Sequence, residues 1–201
     1  MTYVKSVYDS YARYLQESTV RDAHNIVFTA ARSISPAFTD AVVDLGCGLS
    51  EFYKHAEPRT YFGLDLNAEP LEFRNFTRAA GDYRNMQLLY AQLSRTRFTA
   101  FVSLFSTEIT AAPETNQGLY ERLFRWFPSM QAGLVSGFYY AQRKHENPVV
   151  ETGRLISYQT LGAIENHNSP VFNQIWITLP VPSLMFGADV IEVWRILTRK
   201  V

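Results

Sequence analysis

The stretch Ala41-Val42-Val43-Asp44-Leu45-Gly46-Cys47-Gly48-Leu49-Ser50-Glu51 decides how the rest of the chain is read. A short apolar run stops at a glycine, which predicts a buried strand entering a tight turn. In an open parallel sheet, ligands sit beyond the carboxyl ends of the strands, where Gly46 and Gly48 fall. Glycines there admit a close backbone approach, but an ordinary strand-to-helix turn uses them as readily. The neighbouring acids separate the two readings. A dinucleotide loop carries its third glycine where this chain has Glu51, and a carboxylate at that helix start opposes a pyrophosphate. Asp44 opposes it too, and no Lys-Ser/Thr pair follows as a Walker loop requires. The loop suits a cationic ligand.

Working outward, residues 60–65 predict a second strand ending on Asp65, nineteen residues beyond Gly46. A carboxylate at that place can accept both hydroxyls of a ribose. Residues 77–82 predict a third strand, placing Asp82 where a carboxylate can accept from an adenine amino group. Each acid also suits a helix cap or a solvated turn; the ordered series is harder to dismiss. Residues 98–105 and 132–140 predict a fourth and a fifth strand. Between them, residues 116–127 predict an amphipathic helix, with Glu121 and Arg125 paired at i,i+4 and a stop at Pro128. Strands separated by crossover segments predict a parallel sheet with helices on its faces. At the tail, residues 171–179 and 189–198 form two strand-like runs. Their link is too short for a helical crossover, so they pair antiparallel.

Upstream of the loop, Val4, Val7, Tyr8, Tyr11 and Leu15 recur at helical spacing, residues 19–22 restart a helix, and Pro36 ends it. The expected organisation is one domain over residues 1–201, with an N-terminal helical lid at 1–36 and a core at 37–201. At 201 residues with 47% hydrophobic and 19% charged side chains, the chain has the composition of a globular domain. Lys+Arg and Asp+Glu both number 19, so a general attraction to a phosphate backbone is missing, which argues against a nucleic-acid partner. No stretch reaches membrane-span length and no signal-peptide core is present, so a cytoplasmic location is expected. A single cysteine, Cys47, makes no internal disulfide and no structural zinc site; no metal is expected. Oligomeric state is not set by these features.

Val42-Val-Asp-Leu-Gly-Cys-Gly48, Gly63-Leu-Asp-Leu-Asn67, Gly81-Asp-Tyr83 and the run ending Phe105-Ser106-Thr107-Glu108 together resemble the successive motifs of class I S-adenosylmethionine-dependent methyltransferases. The resemblance covers about residues 38 to 140. It implies a doubly wound α/β fold: a mostly parallel seven-stranded sheet, a C-terminal antiparallel hairpin, and helices on both faces. It implies S-adenosyl-L-methionine as cofactor, with Asp44, Gly46, Cys47 and Gly48 around its methionine part. Asp65 and Leu66 would then meet the ribose, Asp82 and Tyr83 the adenine, and Phe105 would be a further contact. An N-terminal helix folds over the cofactor in many small-molecule members, which implies contacts from Tyr8 and Tyr11; packing on the sheet is the other reading of those rings. Ser50 stands where a third glycine is frequent.

Methyl transfer is an in-line displacement in which orientation alone can be worth up to about 7–11 kcal/mol. A base is needed only when the acceptor is protonated. Glu108, after the fourth strand, is a candidate base or amine anchor and equally readable as a solvated loop carboxylate; His145, after the fifth, is the other candidate base, and its neighbours Arg143, Lys144 and Glu146 favour the reading as an exposed side chain. His167, in a polar loop, is discounted in the same way. The Asn/Asp-Pro-Pro-Tyr/Phe motif of amino-methylating enzymes is missing after the fourth strand. Trp126, Phe127, Phe138, Tyr139 and Tyr140 could line an aromatic acceptor pocket or simply fill the core. The expected function is methylation of an oxygen or nitrogen of a small-molecule acceptor. The alternatives are a nucleic-acid or protein methyltransferase, or a catalytically silent cofactor-binding scaffold acting through a partner.

Overall fold

Strand β1 (Ala41–Leu45) has every residue buried, as a parallel strand covered on both faces must. It lies inside the sheet of the computed structural model, which describes residues 14–110, 113–140, 159–160, 168–181 and 190–201. Around it run β2 (Thr60–Asp65), β3 (Leu71–Phe73), β4 (Phe76–Ala80), β5 (Ala100–Leu104), β6 (Ala132–Tyr140), β7 (Gln159–Thr160), β8 (Phe172–Pro180) and β9 (Val190–Arg199). Their spatial order is β3-β4-β2-β1-β5-β6-β9-β8, with β7 beside β6. Strands β4, β2, β1, β5 and β6 are parallel to their neighbours in that run, whereas β9 and β8 close the sheet as an antiparallel pair. The predicted strand order along the chain and the terminal hairpin are both present.

Seven strands were expected, and the sheet has nine among the described residues. The additions are β7 and the antiparallel β3, whose Leu71 faces Arg78 of β4. The reason for β3 is length. The link from β2 to β4 must return to the amino end of the sheet within about ten residues. Extended chain covers about 3.3 Å per residue there, against 1.5 Å for a helix. A strand reaches; a capped helix does not.

Both faces carry helices. Helix α1 (Ser18–Ile34) buries Val20, His24, Val27, Phe28 and Ala31, a stripe at three- and four-residue spacing. It shares one core with Val42, Val102, Phe138 and Trp194, and with Phe52 of α2 (Glu51–Ala56). The opposite core joins Val43, Leu45, Phe101 and Leu197 to Leu89 of α3 (Met86–Leu93) and to Tyr120 and Phe124 of α5 (Pro113–Trp126). A short helix α4 (Thr107–Thr110) precedes α5. Helix α1 stops two residues before Pro36, and Ser35 accepts a bond from the Ala37 amide to start a 3-10 turn, Pro36–Thr39. The Glu121–Arg125 pair forms at 3.2 Å. No helix among the described residues is long and apolar enough to cross a membrane. Tyr8, Tyr11, His145 and His167 lie outside the described residues.

Candidate functional site

After β1 the backbone turns through Gly46 at φ +74° and Gly48 at φ +45°. A Cβ at Gly46 would stand 1.9 Å from Ser106 Oγ, so glycine is required there for space as well as for conformation. The Gly46 and Cys47 amides both donate to the Leu64 carbonyl, at 2.7 and 3.2 Å, which fastens the turn to the end of β2. Ser50, also left-handed at φ 56°, brings the chain into α2. Glu51 departs from expectation. Lys54 holds it at 2.7 Å and His55 lies 3.8 Å away, so much of its charge is answered within its own helix.

Asp44 is the unusual residue. It is 2% exposed; Oδ2 accepts from Tyr61 Oη at 2.7 Å, and Oδ1 is buried without a hydrogen-bond partner among the described residues. Burial pushes its carboxyl up from 3.8 to about 7, a rise that the Tyr61 bond opposes and the nearby Asp65 adds to. A hollow of about 30 Å³ opens beside it, lined by Leu15, Asp44, Gly46, Gly48 and Leu104 among others. That is roughly the space of one water in the liquid. A Cβ at Gly48 would meet nothing within 4 Å, so the backbone is bare on that side.

At the end of β2, Asp65 Oδ2 accepts from the Gly48 amide at 3.2 Å and Oδ1 from the Asn67 amide at 2.9 Å. Asp44, Gly46, Cys47, Gly48 and Asp65 are thus brought together, as expected. Tyr83 joins them indirectly: it is buried, and its hydroxyl lies 3.0 Å from Ser106 Oγ, the atom that confines Gly46. Asp82 faces elsewhere. Arg84 takes both its oxygens, at 2.9 and 3.1 Å, and holds its carboxyl below the usual range. Leu66 is 57% exposed beyond the strand. Phe105 does not line the glycine-loop hollow; at φ 51° it stacks on Phe138 at 4.6 Å and on His24 at 5.8 Å.

Glu108 corrects the expectation of a loop base. It is 1% exposed, on α4 rather than in a loop, and pairs with Arg195 at 2.6 Å. Tyr120 and Tyr139 also donate to its two oxygens. Burial, then the Glu108 charge, keeps both phenols well above their ordinary pKa, so both remain donors. With three donors, one of them a guanidinium, and almost no exposure, this carboxylate is engaged inside the protein and not presented to a substrate. It braces the α5 side of the sheet. The aromatic residues expected at an acceptor pocket also disperse: Phe127, Phe138 and Tyr139 are buried in core, while Trp126 is 41% exposed against Tyr90.

A second polar cluster lies on the α1 side. Glu192 of β9, fully buried, accepts from Tyr14 Oη and from Trp194 Nε1 at 2.7 Å. His24 Nε2 sits 2.8 and 3.1 Å from its two oxygens. Burial and the Glu192 charge raise the Tyr14 phenol far above its ordinary value, so it too stays protonated and donating. Sequence reasoning missed this cluster. His24 and Glu192 are 168 positions apart, and each reads locally as one polar residue in an apolar element. Only Glu192 inside the run Val190-Ile-Glu-Val-Trp194 gave a signal, since a strand covered on both faces seldom carries a lone acid.

This fold is that of the class I S-adenosylmethionine-dependent methyltransferases. Magnesium protoporphyrin IX methyltransferase from Synechocystis PCC 6803, solved with bound SAH (S-adenosylhomocysteine), is similar at TM-score 0.55 and 16% identity, over 97% of this chain and 95% of that one. A cyclopropane-fatty-acyl-phospholipid synthase-like protein from Lactobacillus casei ATCC 334 is similar at TM-score 0.51 and 11% identity, over 90% and 94%. The N-terminal domain of EvdMO1, solved in the presence of SAH and D-fucose, is similar at TM-score 0.50 and 13% identity, over 86% and 82%. No protein-family model and no curated protein matches the sequence.

Proposed function

We propose that the chain is a methyltransferase that binds S-adenosyl-L-methionine at the β1 glycine turn and methylates an oxygen or nitrogen of a small molecule. The observation that carries this reading is Asp44: a buried carboxylate with one oxygen unpartnered, beside a glycine turn, at the carboxyl end of the parallel strands. Leaving such an oxygen unmet costs about 1–3 kcal/mol, more for a charge, and an ammonium or N–H donor from a ligand would meet it. A pyrophosphate would be repelled. The residues fit the amino-acid end of S-adenosylmethionine, with Gly46 and Gly48 giving backbone contact. Asp65 keeps lone pairs for ribose hydroxyls beyond the two amide bonds it accepts, since a carboxylate has about four acceptor sites. Seating the whole cofactor requires the 30 Å³ hollow to widen.

The bound cofactor supplies an activated methyl group. The chain's own residues hold, orient and keep dry: Asp44 fixes the cationic end, Asp65 the sugar, and Leu15 and Leu104 exclude water. The zero net charge supports a small acceptor over a nucleic acid. Calorimetric titration with SAH is the test. Micromolar binding is expected in the wild type and at least tenfold weaker binding in Asp65→Ala, with no heat from NADH. Absence of SAH binding, or an unaltered affinity in Asp65→Ala, would sink the reading.

A further inference from the structure

A hollow of about 290 Å³ lies between α1 and the facing ends of β8 and β9. Its walls are apolar: Val20 and Ala23 from α1, Leu179 and Val181 from β8 and just beyond it. Its polar lining includes Tyr14, His24 and Glu192, the cluster described above. A mostly apolar hollow with a few convergent polar groups is the usual form of a small-ligand site, and this one is at the small end of their range.

The hollow adjoins the glycine turn. Leu15 lines the turn's hollow and its chain neighbour Tyr14 the larger one, so one pair of consecutive residues divides the two spaces. Phe105, next to Leu104 of the turn's hollow, stacks on His24 of the larger one. Register places Glu192 opposite Phe138, near the carboxyl end of β6, which is the same end of the sheet as Asp44 and Asp65.

His24 Nε2 is committed to Glu192, and among the described residues no hydrogen bond reaches Nδ1. A neutral imidazole that donates from Nε2 to a carboxylate carries its lone pair on Nδ1. Glu192 then stabilises the imidazolium that forms once Nδ1 takes a proton. With Tyr14, Trp194 and His24 around it, Glu192 is left to hold the ring and not to anchor a ligand ammonium.

We infer that this hollow is the acceptor site, that it takes a small, mainly apolar compound bearing a hydroxyl, and that His24 is its general base with Glu192 as positioning residue. This rests on the methyltransferase reading above. The hydroxyl proton passes to Nδ1 as an oxygen lone pair bonds the methyl carbon. The carbon–sulfur bond breaks, its electron pair stays on sulfur, and the products are the methyl ether and SAH. The imidazolium returns its proton to solvent.

The probe is 2-naphthol, titrated into the SAH-saturated protein by fluorescence, and incubated with S-adenosylmethionine for detection of 2-methoxynaphthalene. Saturable binding is expected, lost at least tenfold in Ala23→Phe, which fills the hollow while leaving SAH affinity unchanged. His24→Gln should keep naphthol bound and lower kcat by about 10²–10⁴-fold. Glu192→Gln should lower kcat while leaving the KM for naphthol unchanged, as a residue that positions the base and does not touch the acceptor would. SAH binding with no naphthol binding, binding indifferent to Ala23→Phe, or an unaltered kcat in His24→Gln overturns this inference and leaves the cofactor reading standing. Absence of SAH binding overturns both.

Discussion

Asp44 shows how one buried side chain can oppose the stability of the fold that encloses it. Its carboxyl, raised by burial to about 7, is favoured in the folded state when protonated. That contribution is fully present below the unfolded value of 3.8 and is lost as pH rises through about 7. Asp44→Asn cannot titrate. Its stability relative to the wild type should therefore rise between pH 4 and pH 7.5 and level off above, by a few kcal/mol in total. Urea unfolding at pH 4.5 and pH 8 measures it, and a constant gap between the two proteins would show that Asp44 is not strained by its burial. Gly46 makes the complementary point. Its place in the chain was legible from the motif, but the need for it came from Ser106, sixty residues on, which no local pattern announces.

Strand β9 is the element on which both sides of the sheet depend. Its alternation sends Glu192 and Trp194 toward α1 and Arg195 and Leu197 toward α5, so one extended run supplies a buried anion to one face and a buried cation to the other. Apolar periodicity identified this run as a strand within one residue at each end. It gave no reason for the two charges, since their partners are Tyr14 and His24 on one side and Glu108 on the other. Arg195→Ala leaves Glu108 buried with only phenol donors, and breaking a buried pair in this way costs about 3–5 kcal/mol. The double change Glu108→Gln, Arg195→Met should recover most of that loss. Thermal melts of the three variants decide it; a double variant no better than Arg195→Ala would show that the pair's other bonds, to Tyr120 and Tyr139, carry the stability. The base expected at Glu108 failed for the same reason: a position after β5 says where a residue stands, not whether an arginine from a distant strand has taken it.

Across the whole chain, what the sequence made legible was everything governed by local rules. Strand order followed from apolar runs and turn residues, and the acids gathered at the glycine turn followed from their places at strand ends. Contacts that depend on packing between distant elements were not legible, among them the His24–Glu192 pair and the enclosure of Glu108. Nor did any local pattern announce the β3 hairpin in the short link before β4. One feature of the glycine turn bears on the motion of the molecule as a whole. Cys47 is the chain's one thiol, it is 5% exposed, and a Cβ at Gly63 would lie 2.8 Å from its sulfur. Burial, with Asp44 and Asp65 nearby, also pushes the thiol up and suppresses the reactive thiolate. Nature has thus installed a single reporter where the turn must part from β2 before any reagent can enter. Labelling by an aromatic disulfide should run at least about 100-fold slower in the native protein than in urea, with a rate set by the open fraction. Saturating SAH should slow it further, so that the sulfur acts as a clock for the breathing that admits the cofactor; rapid native labelling, indifferent to SAH, would mean the turn is open on its own.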